Sequence, residues 1–90
     1  MKQHTGEFKI KNVMGLHARP ASEFVRTAGR FIAEIIVEKD GDEVNGKSIM
    51  SLLMLSAGHG STLKITATGA DAEEAIHALG ELIDAKFNEE

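Results

Sequence analysis

Ala33-Glu34-Ile35-Ile36-Val37-Glu38-Lys39-Asp40-Gly41-Asp42-Glu43-Val44 is the stretch that decides the fold. Ala33, Ile35 and Val37 alternate with Glu34, Ile36 and Glu38, the two-residue period of a strand with one buried face. Asp40-Gly41 is a hairpin signal, because both residue types tolerate the backbone of a tight two-residue turn. A short strand follows around Glu43-Val44. Strands joined this way run antiparallel, and the sheet built on them is expected to do the same.

Two further strands and three helices lie on either side. Glu7-Phe8-Lys9-Ile10-Lys11 alternates polar and apolar residues, as do Leu63, Ile65 and Ala67 with Lys64, Thr66 and Thr68. A helix is predicted from about Ala18, with Pro20 tolerated in its first turn, Ala21, Phe24, Val25 and Ala28 on its buried face, and Gly29 as its stop. Ser48 opens a second, short helix ending near Ala57-Gly58. Asp71 and Glu74 make a capping-box-like start for a third, whose apolar stripe is Ala75, Ile76, Leu79, Leu82 and Ile83. The order βαββαβα gives an α+β class. Each helix has one apolar stripe, so the simplest architecture puts three helices on one face of a four-stranded antiparallel sheet, a split-βαβ arrangement.

The 90 residues suit one domain over 1–90, without room for an enclosed cavity plus a second domain. Chemistry is then expected at the surface or shared with a partner. No cysteine is present, which excludes disulfides and thiolate metal sites. The first seven residues hold no apolar run like that of a signal peptide, and no segment is long enough to span a bilayer. A cytoplasmic protein is the expectation, with no membrane association. A net charge of −4 argues against general nucleic-acid binding. Arg19, Arg26 and Arg30 fall around the first helix, whereas Asp71, Glu73, Glu74, Glu81, Asp84, Glu89 and Glu90 gather late in the chain. That local basic patch suits an acidic protein partner, although solvated helix faces explain any single charge as well.

Gly15-Leu16-His17-Ala18-Arg19-Pro20-Ala21-Ser22 carries the chemistry. It sets an imidazole at a helix start, where backbone N–H groups lack intrahelical acceptors and the helix dipole is positive. The N–H groups of Ala18 and Arg19, with the planar cation of Arg19, favour a phosphate. The His17 ring is a nucleophile able to carry that phosphate covalently. An ordinary surface or N-cap histidine is the plainer alternative. No second His, Asp or Glu sits at ligand spacing nearby, so no metal is expected, and the same gap leaves His17 without a neighbouring carboxylate. His4, His59 and His77 read as a strand-end, a loop and a last-helix residue without chemical roles.

Asn45-Gly46-Lys47-Ser48-Ile49-Met50-Ser51-Leu52-Leu53-Met54-Leu55 repeats the theme of a polar residue at a helix start. Capping alone explains Ser48. Ile49, Met50, Leu52, Leu53, Met54 and Leu55 are more apolar residues than one core face of a short helix buries. With Leu52 and Leu55 facing inward, some of Ile49, Met50, Leu53 and Met54 are exposed as a docking patch.

These two segments, with Thr68-Gly69-Ala70-Asp71, resemble the HPr phosphocarrier family of the phosphoenolpyruvate-dependent phosphotransferase system over nearly the whole chain. The resemblance implies an open-faced β-sandwich and no cofactor. It implies that His17 takes a phosphoryl group on Nδ1 from phospho-enzyme I and passes it to an enzyme IIA, with Arg19 as the active-site arginine. The chain would be a carrier rather than an enzyme with its own turnover, and a monomer. Ser48 matches the serine that an HPr kinase/phosphorylase modifies in some lineages; Arg26, Ile49, Met50 and Leu53 would serve partner docking. Met14 stands where small polar residues are frequent in that family, and Ser56 where many members have glycine. Leu53-Met54-Leu55 is similar to the nitrogen-related branch, leaving sugar transport and regulation both open. A purely regulatory interaction module needs no nucleophile, and a small-molecule-binding domain of ferredoxin-like topology would need a pocket or paired subunits.

Overall fold

The computed structural model describes residues 2–89. Met1 and Glu90, which enter the leader reading and the acidic cluster, lie outside the described residues. The strands are β1 (Gln3–Lys9), β2 (Glu34–Lys39), β3 (Asp42–Asn45) and β4 (Thr62–Thr68), and the helices α1 (Ala18–Ala28), α2 (Ile49–Met54) and α3 (Ala72–Asp84). The sheet order is β1-β4-β2-β3, and every neighbouring pair is antiparallel. Fold class and element order agree with the expectation. The β2–β3 hairpin turns through Asp40 (φ 53°) and Gly41 (φ 90°), both in the left-handed region that matches the twist of the flanking strands.

Period-two burial makes the sheet one-sided. Leu63, Ile65 and Ala67 of β4 and Ile35 and Val37 of β2 are fully buried against the helices. Thr5 and Thr66 pair on the other face, and Glu7 stands opposite Lys64 there. Phe24 of α1, Leu52 of α2, and Leu79 and Ile83 of α3 complete the core with no exposed surface. Val25, Ile76 and Leu82, assigned to buried faces by periodicity, are only partly covered.

Three boundaries and one cap differ from the sequence reading. β1 runs from Gln3 to Lys9 rather than over Glu7 to Lys11. Its inward positions are His4, Gly6 and Phe8, so the apolar signal is absent from its first half, while the full register with β4 supplies the missing order. Ile10 leaves the strand and exchanges backbone hydrogen bonds with the loop before β4, through Ser61 O and Gly60 N, both at 2.8 Å. α2 stops at Met54, not near Ala57-Gly58, because Ser56 (φ 52°) reverses the chain in the left-handed region. Asp71 precedes α3 but makes no side-chain cap. Its two carboxylate oxygens instead accept from the N–H groups of Ile32 and Ala33, each at 2.9 Å, and tie the start of α3 to the approach to β2.

Candidate functional site

His17 is the N-cap residue of α1, with extended backbone (φ −87°, ψ −167°) and no side-chain capping bond. Its carbonyl accepts from the N–H of Ala21 at 2.9 Å, so the helix ladder starts there. Ala18 and Arg19 lie in the first turn, where N–H groups lack intrahelical acceptors, and Pro20, the third residue of that turn, has no N–H to leave unpaired. Gly15 sets the preceding turn. Its φ is 72°, and a Cβ there would lie 2.7 Å from both Ala57 O and Gly58 Cα. Only glycine permits that approach, and it lets the N–H of Leu16 donate to Ala57 O at 2.8 Å. The histidine loop is thereby fixed to the segment after α2.

The imidazole has a partner that sequence spacing did not show. Glu89 lies 72 positions away, and its Oε2 is 3.0 Å from His17 Nε2. This overturns the expectation that no carboxylate stands beside His17. The other oxygen of Glu89 accepts from Asn12 Nδ2 at 3.0 Å, and the same Nδ2 donates to Gly15 O at 2.7 Å. Both acceptors fix the orientation of the Asn12 amide and leave its Oδ1 buried without a partner. A carboxylate can only accept, so Nε2 is the ring nitrogen that carries hydrogen. In the neutral ring the lone pair then resides on Nδ1.

Glu89 reaches His17 because the chain folds back after α3 through Lys86, Phe87 and Asn88, at φ 58°, 56° and 63°. Three consecutive left-handed residues cost roughly 3–6 kcal/mol. Phe87 is 2% exposed, and its burial contributes about 2–3 kcal/mol. Hydrogen bonds to the charged Glu89 carboxylate add about 1.5–3 kcal/mol, which brings the two sides level. No glycine marks this turn, so local sequence patterns could not reveal it. The only early signal was an apolar residue, Phe87, set among polar ones beyond the last helix stripe.

His17 and Arg19 line one open cleft with Asn12, Val13, Met14, Asn88 and Glu89. His17 also borders a second, formed by Met14, Leu16, Ser56, Ala57 and Gly58. Arg19 is exposed. Arg26 stands apart: it borders a groove between α1 and α3, and its Nη1 is 3.6 Å from Glu23 Oε2. Ser48 caps α2, its Oγ accepting from Ser51 N at 3.2 Å. Leu52 and Leu55 face inward as expected, while Ile49, Met50, Leu53 and Met54 are exposed. Val13 and Met14, on the histidine loop, are also exposed apolar residues; the sequence singles out Met14 only as a departure from the family pattern, and Val13 not at all. His4 lies within β1, His59 in the loop before β4 and His77 on α3. Among the described residues no group of three or more His, Cys, Asp or Glu is placed to hold a metal ion, and no helix is long and apolar enough to cross a membrane.

Comparison with known proteins gives this geometry its context. A family model described as "PTS HPr component phosphorylation site" matches residues 4–85. The phosphocarrier protein HPr of Neisseria meningitidis is 46% identical over 81 residues, covering 90% of this chain and 91% of that protein. The crystal structure of HPr from Thermoanaerobacter tengcongensis superposes with a TM-score of 0.90 at 52% identity, covering 100% of this chain and 99% of the other. Crh of Bacillus subtilis, whose crystal structure is described as a swapped, intertwined dimer, has a TM-score of 0.75 at 40% identity, with 96% and 97% covered. On the family match and the fold they share, the chain belongs to the HPr family, the phosphocarrier proteins of the phosphotransferase system.

Proposed function

We propose that the chain accepts a phosphoryl group on His17 Nδ1 from phospho-enzyme I and delivers it to an enzyme IIA. The observation that carries this reading is the contact between Glu89 and His17 Nε2. The Nδ1 lone pair attacks phosphorus, the bond from phosphorus to the donor breaks, and its electron pair stays with the donor. The ring keeps its Nε2 hydrogen and gains positive charge, which Glu89 balances. Arg19 and the N–H groups of Ala18 and Arg19 would hold the phosphate oxygens. The reverse displacement hands the group to the acceptor, so the chain is a reactant in each step rather than an independent catalyst.

Docking is assigned to Ile49, Met50 and Leu53, with Arg26 meeting acidic groups at the rim. The same reading puts the protein in the cytoplasm and makes it a monomer. Leu53-Met54-Leu55 leaves the nitrogen-related branch as an alternative destination for the phosphate. Incubation with phosphoenolpyruvate and enzyme I is expected to yield acid-labile phosphate on His17. Full labelling of His17→Ala would overturn the assignment.

Ser48 is the regulatory site in this reading, as the substrate of an HPr kinase/phosphorylase. Its hydroxyl occupies the helix start, where negative charge is tolerated, yet it adjoins exposed Ile49 and Met50, where charge would oppose an apolar contact. Ser48→Asp is expected to slow transfer from enzyme I several-fold while retaining the α2 cap, as read by stopped transfer assays and circular dichroism. An unchanged rate would remove Ser48 from the regulatory scheme.

A further inference from the structure

The chain has four methionines and no cysteine, so thioether sulfur is the only oxidisable sulfur it holds. Methionine ordinarily fills gaps in cores. Here the buried hydrophobic core consists of Ile, Leu, Val, Phe and Ala, while Met14, Met50 and Met54 are 71%, 73% and 78% exposed. Met14 borders both clefts that flank His17. Met50 and Met54 are four residues apart on α2 and therefore share one helix face, beside exposed Ile49 and Leu53. Every methionine among the described residues thus lies on the histidine loop or the apolar face of α2, and none supports the core.

We propose that Met14, Met50 and Met54 form a reversible oxidation site that tunes docking of the transfer face, an inference that rests on the carrier reading of His17. The oxidant is hydrogen peroxide. The thioether sulfur attacks a peroxide oxygen, the S–O bond forms as the O–O bond breaks, and the second oxygen leaves as water after proton transfer. Sulfur loses two electrons and the peroxide gains them. A dithiol-dependent sulfoxide reductase reverses the change, its dithiol becoming a disulfide and the oxygen leaving as water. The sulfoxide is polar and accepts hydrogen bonds. Burying it in an apolar contact is costly where the partner offers no donor. Because no core position is altered, docking weakens while the fold stays intact.

The test treats the full chain with hydrogen peroxide until mass spectrometry and peptide mapping place one oxygen on each of the three residues. Transfer from phosphoenolpyruvate through enzyme I is then timed, and thermal unfolding is followed by circular dichroism. Transfer is expected to slow roughly tenfold, the scale of a lost interface hot spot, with unfolding unmoved and the rate restored by sulfoxide reductase and dithiothreitol. The triple variant Met14→Leu, Met50→Leu, Met54→Leu keeps side-chain volume but cannot form sulfoxides at these three positions, with Met1 the one thioether left as an internal control. Its treated rate is expected to equal its own untreated rate. Oxidised protein that transfers as fast as untreated protein overturns the proposal, as does a peroxide effect that persists in the triple variant. Untreated protein that takes no phosphate at His17 overturns the carrier reading and this proposal together.

Discussion

At the scale of single residues, Glu89 decides which nitrogen of His17 is free. It acts as a positioning residue: its 3.0 Å contact at Nε2 selects the tautomer with the lone pair on Nδ1. Glu89→Ala is expected to return the ring to a mixture of tautomers and to slow phosphoryl uptake by roughly 2–10-fold, the rate scale of about 0.4–1.4 kcal/mol. Nitrogen-15 NMR of the His17 ring reads the tautomer directly. Glu89→Gln should rescue in part, since an amide oxygen still accepts from Nε2–H but brings no charge to balance the phosphorylated ring. An unchanged tautomer ratio in Glu89→Ala would detach the carboxylate from the choice of nucleophile. The placement of His17 and Arg19 at a helix start was legible in the sequence because helix-start signals are local. Glu89 was not, because its approach depends on a left-handed turn made without glycine and on burial of Phe87 far along the chain.

At the scale of elements, legibility followed how local each determinant is. The β2–β3 hairpin was readable because its turn and alternation sit within twelve consecutive residues. β1 was misplaced because His4 and Gly6 face inward without an apolar side chain, and pairing with β4 along seven residues compensates. Asp71 was read as a cap because the pattern before α3 fits one, yet both its oxygens are taken by Ile32 and Ala33. Asp71→Ala is therefore expected to cost about 2 kcal/mol in urea unfolding, the scale of hydrogen bonds to a charged acceptor at a partly buried site. Asp71→Asn, which retains one acceptor oxygen, should lose about half as much. A loss below about 0.5 kcal/mol for the alanine variant would show that the bridge between α3 and β2 contributes little.

At the scale of the whole molecule, two segments remote in sequence meet. The histidine loop and the end of α2 are joined by the Leu16 N to Ala57 O bond and by the close approach at Gly15. In the proposed carrier reading this join sets His17 and the apolar patch of α2 on one continuous face. β1 is an edge strand, and the alternatives for its open edge are solvent or a second copy of the chain. Its outward side chains include Glu7 and Lys9, and charged edge residues discourage pairing between copies. Sedimentation velocity at micromolar concentration is accordingly expected to give the mass of a single chain. A stable dimer, like that described for Crh of Bacillus subtilis, would contradict this.

The uncovered side of the sheet has a practical consequence for watching the carrier at work. Gln3 is exposed at the end of β1 remote from the histidine loop, roughly 20 Å of strand away from Lys9. In a chain that has no native thiol, Gln3→Cys would accept a single fluorophore at a known place, far from His17 along the strand. One dye could then report each handover in real time, as a change in tumbling, without touching the chemistry it records.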